Sequence, residues 1–150
     1  MTAPTIKVSA LGRGTVLDHL LAGSAMRAYR VLGLGSEYTV TVGINLASSR
    51  LGHKDIIKIE GHELTEKEAA KIAMLSPDAT LSIIRDYKVV RKVPLKLPER
   101  VQGILRCPNP ACITRSEKTP GSFRVDSAAP VTVTCEYCER TITEEQLDFV

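Results

Sequence analysis

Cys107, Cys112, Cys135 and Cys138 are the only cysteines in the chain, and they fall in its last third as C-x4-C, an interval of 22 residues, then C-x2-C. With this spacing two short turns can present four thiolates to one tetrahedral zinc ion. A set without histidine, carboxylate or water leaves no open coordination position, so it holds structure together and performs no reaction. Cys135-Glu136-Tyr137-Cys138 alone has redox spacing. A redox pair, however, opens a helix after a strand in a larger α/β sheet, and it would leave Cys107 and Cys112 unexplained. Two disulfides would need an oxidising compartment. The amino terminus, Met1-Thr2-Ala3-Pro4, lacks the basic and apolar regions of a secretory signal. The expectation is a cytoplasmic chain with one structural Zn2+.

A second set of reactive groups is basic. Lys54 and Lys58 sit on one face of an alternating segment, roughly 13 Å apart at about 3.3 Å per residue, with Ile57 and Ile59 facing the other way. Such a pair can neutralise phosphate, but it is also what a solvated strand edge looks like. Asp18-His19 reads equally as a polar contact pair or as a turn that stabilises the fold, and His53 and His62 read as surface residues.

The 150 residues are 43% hydrophobic and 25% charged, with a net charge of +3 and a pI near 8.7. This is the composition of a globular protein, with no tract long enough to cross a bilayer. The basic excess permits an anionic ligand but falls short of a nucleic-acid binder's dense stripe. Two Phe, four Tyr and no Trp supply little for stacking bases.

The elements that position these groups follow from periodicity. Thr5–Leu11 alternates as a strand with Ile6, Val8 and Ala10 on one face, and a second strand covers Thr15–Leu20 beyond Gly12-Arg13-Gly14. Ser24 is placed to cap a helix carrying Ala25, Met26, Tyr29, Val31 and Leu32, which ends at Gly33 or Gly35. Tyr38–Leu46 and His53–Glu60 form a hairpin across a turn at Ala47–Gly52. Thr65-Glu66-Lys67-Glu68 is a capping box opening a helix that Ser76-Pro77 ends. Thr80–Val93 reads as one or two strands, broken at Arg85-Asp86. The fold class is therefore α+β: a ferredoxin-like antiparallel sheet with two helices on one face, followed by a small all-β zinc-binding, ribbon-like domain. Pro94 and Pro98 mark a stiff connector between domains at 1–97 and 98–150. Ile104, Leu105, Phe123, Val125, Val131 and Val133 are too few to fold the second domain alone, so the metal substitutes for core.

Several stretches together carry a family likeness. Arg13-Gly14-Thr15-Val16-Leu17-Asp18-His19, Gly43-Ile44-Asn45-Leu46, Lys54-Asp55-Ile56-Ile57-Lys58-Ile59-Glu60, Leu97-Pro98-Glu99-Arg100, and Cys107-Pro108-Asn109 with Cys112, Cys135, Tyr137, Cys138 and Glu139 stand in order along nearly the whole chain. In these the sequence resembles the family of aspartate carbamoyltransferase regulatory chains. The resemblance implies an allosteric domain that binds nucleoside triphosphates and a zinc domain that docks on a catalytic chain, with no enzymatic activity of its own. It also implies regulatory dimers, three of which bridge two catalytic trimers, and CTP, UTP and ATP as competing effectors in pyrimidine biosynthesis.

The same resemblance assigns nucleotide contacts to Ala10, Leu11, Val16, Asp18, His19, Lys54, Lys58, Ser82, Ile84, Tyr87, Val89 and Lys92, and partner contacts to Asn109 and Glu139. Lys58 and Lys92 suit phosphate, Asp18 a ribose hydroxyl or base amine, His19 a phosphate, and the backbone at Leu11, Ile84 and Tyr87 a base edge. Plain strand alternation sets Lys92 opposite Tyr87 and Val89, so a bulge or a backbone contact must intervene. Two positions depart from the family: Ser82 stands where relatives carry a base-recognising Asn, and Ala111 where they carry a second Asn between the first two cysteines. A hydroxyl offers one donor against an amide's two, so Ser82 bears on discrimination between bases. The competing reading is a zinc-ribbon accessory protein binding nucleic acid or a transcription complex; against it, the basic residues are dispersed and the ribbon lacks an Arg and aromatic cluster.

Overall fold

The computed structural model describes residues 11–150. The expected first strand, apart from Leu11, lies outside them. Next come β1 (Gly14–Leu21), α1 (Ala25–Leu32), β2 (Val40–Ser48), β3 (Gly52–Glu60), α2 (Glu66–Leu75), β4 (Thr80–Arg85) and β5 (Lys88–Pro94). The sheet order is β2-β3-β1-β4-β5, antiparallel throughout. This is the ferredoxin-like order with β5 added as a hairpin arm. Alternation turns Leu17, Ile57, Ile59, Leu81 and Ile83 inward, where they meet Ala25, Ala28 and Leu32 of α1 and Ile72, Ala73 and Leu75 of α2. The opposite sheet face carries no helix among the described residues.

Local chemistry explains the helix ends. At α2 the Glu68 amide donates to Thr65 Oγ1 (3.2 Å) and the Thr65 amide to Glu68 Oε1 (2.9 Å), the expected capping box. At α1 the outcome differs. Ser24 holds the N-cap position, but its hydroxyl donates backward to Leu21 O (2.6 Å). The first helix amide, that of Ala25, is met instead by Asp55, fully buried, whose Oδ2 accepts from Ala25 N–H (3.0 Å) and from Gly23 N–H (2.9 Å) ahead of the cap, while Oδ1 accepts from Asn45 N–H (2.8 Å). Asn45, at φ 58°, lies in a β2 bulge between Gly43 and Leu46. One carboxylate thus ties a helix start to a strand irregularity. Met26, expected among the apolar helix positions, is exposed.

Thr80–Val93 resolves into the β4–β5 hairpin, turned at Asp86 and Tyr87, both with positive φ (50° and 62°). Two consecutive left-handed residues are the signature of a tight primed hairpin turn.

The second sheet comprises β6 (Arg100–Gln102), β7 (Ser122–Ala128), β8 (Val131–Cys135) and β9 (Thr141–Thr143), in that order, with the short helix α3 (Ile113–Ser116) before β7. Its core adds Val101, Ile142, Leu147 and three of the cysteines to the expected apolar residues, with Val125 only partly buried. It also takes in Met74, fully buried, from α2. Leu97 and Phe149 pack against both cores, and Leu95 is buried with its amide on Ala79 O (2.8 Å). The connector is extended, as its prolines require, but it is pinned rather than free. No described helix is long and apolar enough to cross a membrane.

Candidate functional site

Two turns build the cysteine site. In the first, Asn109 Oδ1 accepts the Ala111 amide (3.0 Å) and Cys112 N–H donates to Asn109 O (3.0 Å), so the chain doubles back between Cys107 and Cys112. In the second, Glu139 at φ 62° donates its N–H to Cys135 O (2.8 Å), closing the loop around Cys138. The four sulfurs lie within 4.8 Å of one another, with Cys107 to Cys138 at 3.6 Å and Cys112 to Cys135 at 3.8 Å. Those separations exclude disulfides, whose sulfurs stand about 2.0 Å apart. They match the edge of a tetrahedron drawn with zinc–sulfur bonds of about 2.3 Å, roughly 3.8 Å.

The donor set therefore fits a single structural metal ion such as zinc, held by Cys107, Cys112, Cys135 and Cys138. Bound there, the metal would supply a crosslink with no vacant ligand position. The surrounding chain prepares the thiols unequally. Burial pushes Cys107 up to about 12 and Cys135 in the same direction. At Cys138 burial works the same way, but the Asn109 side-chain amide and the Arg140 amide donate to the sulfur and bring it down to about 6. Asn109, expected at a partner surface, is thereby also a support of the metal loop.

Of the expected nucleotide contacts, Val16, Lys58, Ser82, Val89 and Lys92 share the open sheet face. Val16 of β1 pairs with Lys58 on one side and Ser82 on the other, and Ser82 pairs with Lys92. The register between β4 and β5 slips where Ile84 faces Val89 but Ile83 faces Arg91. One extra residue, Val90, turns Val89 to the side of Lys92. Of the two expected devices, a bulge or a backbone contact, the strand pair contains the bulge.

At the other end of the face Lys54 Nζ donates to Asp18 Oδ1 (2.8 Å), which also accepts the His19 amide (2.7 Å). Burial tends to raise the Asp18 pKa, yet Lys54 and the His19 amide outweigh it and hold the carboxyl below its ordinary value. His19, at φ 57° in a second bulge between Leu17 and Leu20, places Nδ1 3.1 Å from Thr80 Oγ1. Tyr87 is exposed, and its amide donates to Gly12 O (3.0 Å), so that donor is not free for a base edge; the ring and carbonyl remain. Ile84 and Leu11 are buried. Ala10 lies outside the described residues.

Sequence reasoning gave no role to Asp55, to Met74 or to the apolar pair Ile113 and Tyr137, which stand half-exposed beside the two cysteine turns. The signal for Asp55 was present: it shares strand parity with Ile57 and Ile59 and so must point into the core.

Fold and site together define a two-module protein, an α+β sheet domain joined to a small all-β metal-binding domain. Residues 6–96 match the family model described as aspartate carbamoyltransferase regulatory chain, allosteric domain, and residues 99–148 match that of its metal binding domain. The sequence is 49% identical over 145 residues to the aspartate carbamoyltransferase regulatory chain of Methanopyrus kandleri, covering 95% of this chain and 93% of the relative. For the regulatory chain of Pyrococcus abyssi the identity is 47% over 145 residues, 95% of each chain. For that of Methanocaldococcus jannaschii it is 43% over 139 residues, 93% of each. The chain belongs to the family of aspartate carbamoyltransferase regulatory chains, non-catalytic subunits with an allosteric and a metal-binding domain.

Proposed function

We propose that residues 1–97 form an effector domain whose open sheet face binds nucleoside triphosphates, and that residues 98–150 form the module that docks on the catalytic chain of aspartate carbamoyltransferase. The observation that carries the first part is the Val90 bulge, which gathers Val89, Lys92, Ser82, Val16 and Lys58 on one face. Lys58 and Lys92 neutralise the phosphates, while the Lys54–Asp18 pair offers hydrogen-bonding groups at one end. Ala10, Leu11, His19, Ile84 and Tyr87 complete the binding region. Ser82 at its centre replaces an amide by a hydroxyl and sets how bases are told apart.

Docking rests on the metal module's exposed rim. Ile113 and Tyr137 supply apolar contact, and Asn109 and Glu139 hydrogen bonds. In this reading regulatory chains pair, and three pairs bridge two catalytic trimers in the cytoplasm, tying CTP, UTP and ATP levels to pyrimidine biosynthesis. An effector shifts the assembly only by its differential affinity for two quaternary states.

The test mixes the metal-loaded chain with its catalytic chain and follows size and activity against added CTP, UTP and ATP. A large complex whose activity responds to nucleotide is expected; absence of a complex would remove the docking role.

A further inference from the structure

A cavity of about 530 Å3 lies where the first turn of α2 meets the metal module, lined by Lys67 from the helix and by Arg106, Arg115 and Lys118 from the module. Leu105 and Pro120 supply apolar wall, and among the described residues that line it there is no aspartate or glutamate. The cations are poorly satisfied elsewhere. Arg106 Nη1 reaches Asp148 Oδ1 at 3.4 Å and Phe149 O at 3.3 Å, and Arg115 Nη1 reaches Cys107 O at 3.4 Å, all beyond the usual range for an N–H donor. Among the described residues Lys67, Arg115 and Lys118 form no salt bridge.

One demand on these charges comes from the metal site. Four thiolates around a divalent ion carry a net charge of −2, and Cys107 borders the same cavity. That offsets two of the four positive charges, and Asp148 beside Arg106 offsets a third, so the lining keeps a positive excess with no carboxylate side chain of its own. The cavity is larger than a bare phosphate requires and falls within the range of small-molecule sites, about 300–1,000 Å3. We propose that it binds an anionic, phosphate-bearing metabolite, held between α2 and the metal module and distinct from the nucleotide face. Because Lys67 belongs to one module and the other three cations to the second, such a ligand fixes the two modules against each other.

The experiment uses the full, metal-loaded chain carrying Lys58→Ala and Lys92→Ala, so that the sheet face no longer competes. Inorganic phosphate and glycerol phosphate are titrated by calorimetry, with metal content checked before and after. Saturable binding at one site per chain is expected, weakened about tenfold or more by Lys118→Ala and, separately, by Lys67→Ala. Tighter binding of glycerol phosphate supports a phosphate monoester as the ligand; equal binding of both probes supports the site with free phosphate as its occupant. Absence of saturable binding, or binding indifferent to both further substitutions, overturns the proposal. Sensitivity to Lys118→Ala alone overturns the bridge between modules.

Discussion

Asp55 Oδ2 lies 3.0 Å from the backbone nitrogen of Ala25, so a buried β3 carboxylate, and not the serine at the N-cap position, meets the first amide of α1. Anions belong at a helix amino terminus, where free amides and the helix dipole converge. Asp55→Ala strands the amides of Gly23, Ala25 and Asn45 at once. Stability in urea should fall by about 3 kcal/mol or more, with Ser24→Ala changing it far less. Comparable losses for the two would show that Ser24 shares the work.

Acid should act through Asp18. Its folded pKa is lowered, so the stability it contributes is fully present above the unfolded value, about 3.9, and is lost as pH falls through the depressed folded value. Asp18→Asn should flatten the acid limb of the stability curve below about pH 4, leaving the curve near pH 7 parallel to the parent's. Urea midpoints measured from pH 2 to pH 7 check this.

On the sheet face, Lys58→Ala should weaken CTP, UTP and ATP alike, by about tenfold, since phosphate is common to all three. Ser82→Asn should alter their ratio, because it adds amide donors and an acceptor at one point. Calorimetric titration of each nucleotide separates the two effects. Unchanged affinities in Lys58→Ala and in Lys92→Ala would move the site elsewhere.

Stripping the metal should unfold the second sheet and, through Met74, loosen the first. Cys135→Ser should do the same. Met74→Ala, with the metal retained, should cost about 2–5 kcal/mol, and hydrogen exchange should quicken in α2 as well as around β8. Faster exchange confined to residues beyond 98 would mean that the two cores are independent.

The alternating strands, the Thr65 capping box and the four-cysteine cluster were legible because each depends on a short period or spacing. Asp55 was overlooked because aspartate in a strand suggests solvent; its parity with Ile57 and Ile59 was the better guide. A bulge was one of two devices that the expected contacts called for, and it could not be located from Val89-Val90 alone, since either register satisfies the hydrophobic pattern. Met74 was illegible for another reason. Helical periodicity marks one apolar face, whereas α2 touches two cores, and the second is built from residues more than 25 positions away.

The seat of Met74 has a mechanical meaning. That side chain is closed inside the neighbouring core, and Leu97 and Phe149 pack against both sides, so these three residues join the two cores. Close-packed surfaces exchange one fit for another instead of sliding through intermediates. A rotation of the second sheet against the first would have to draw Met74 out of that core.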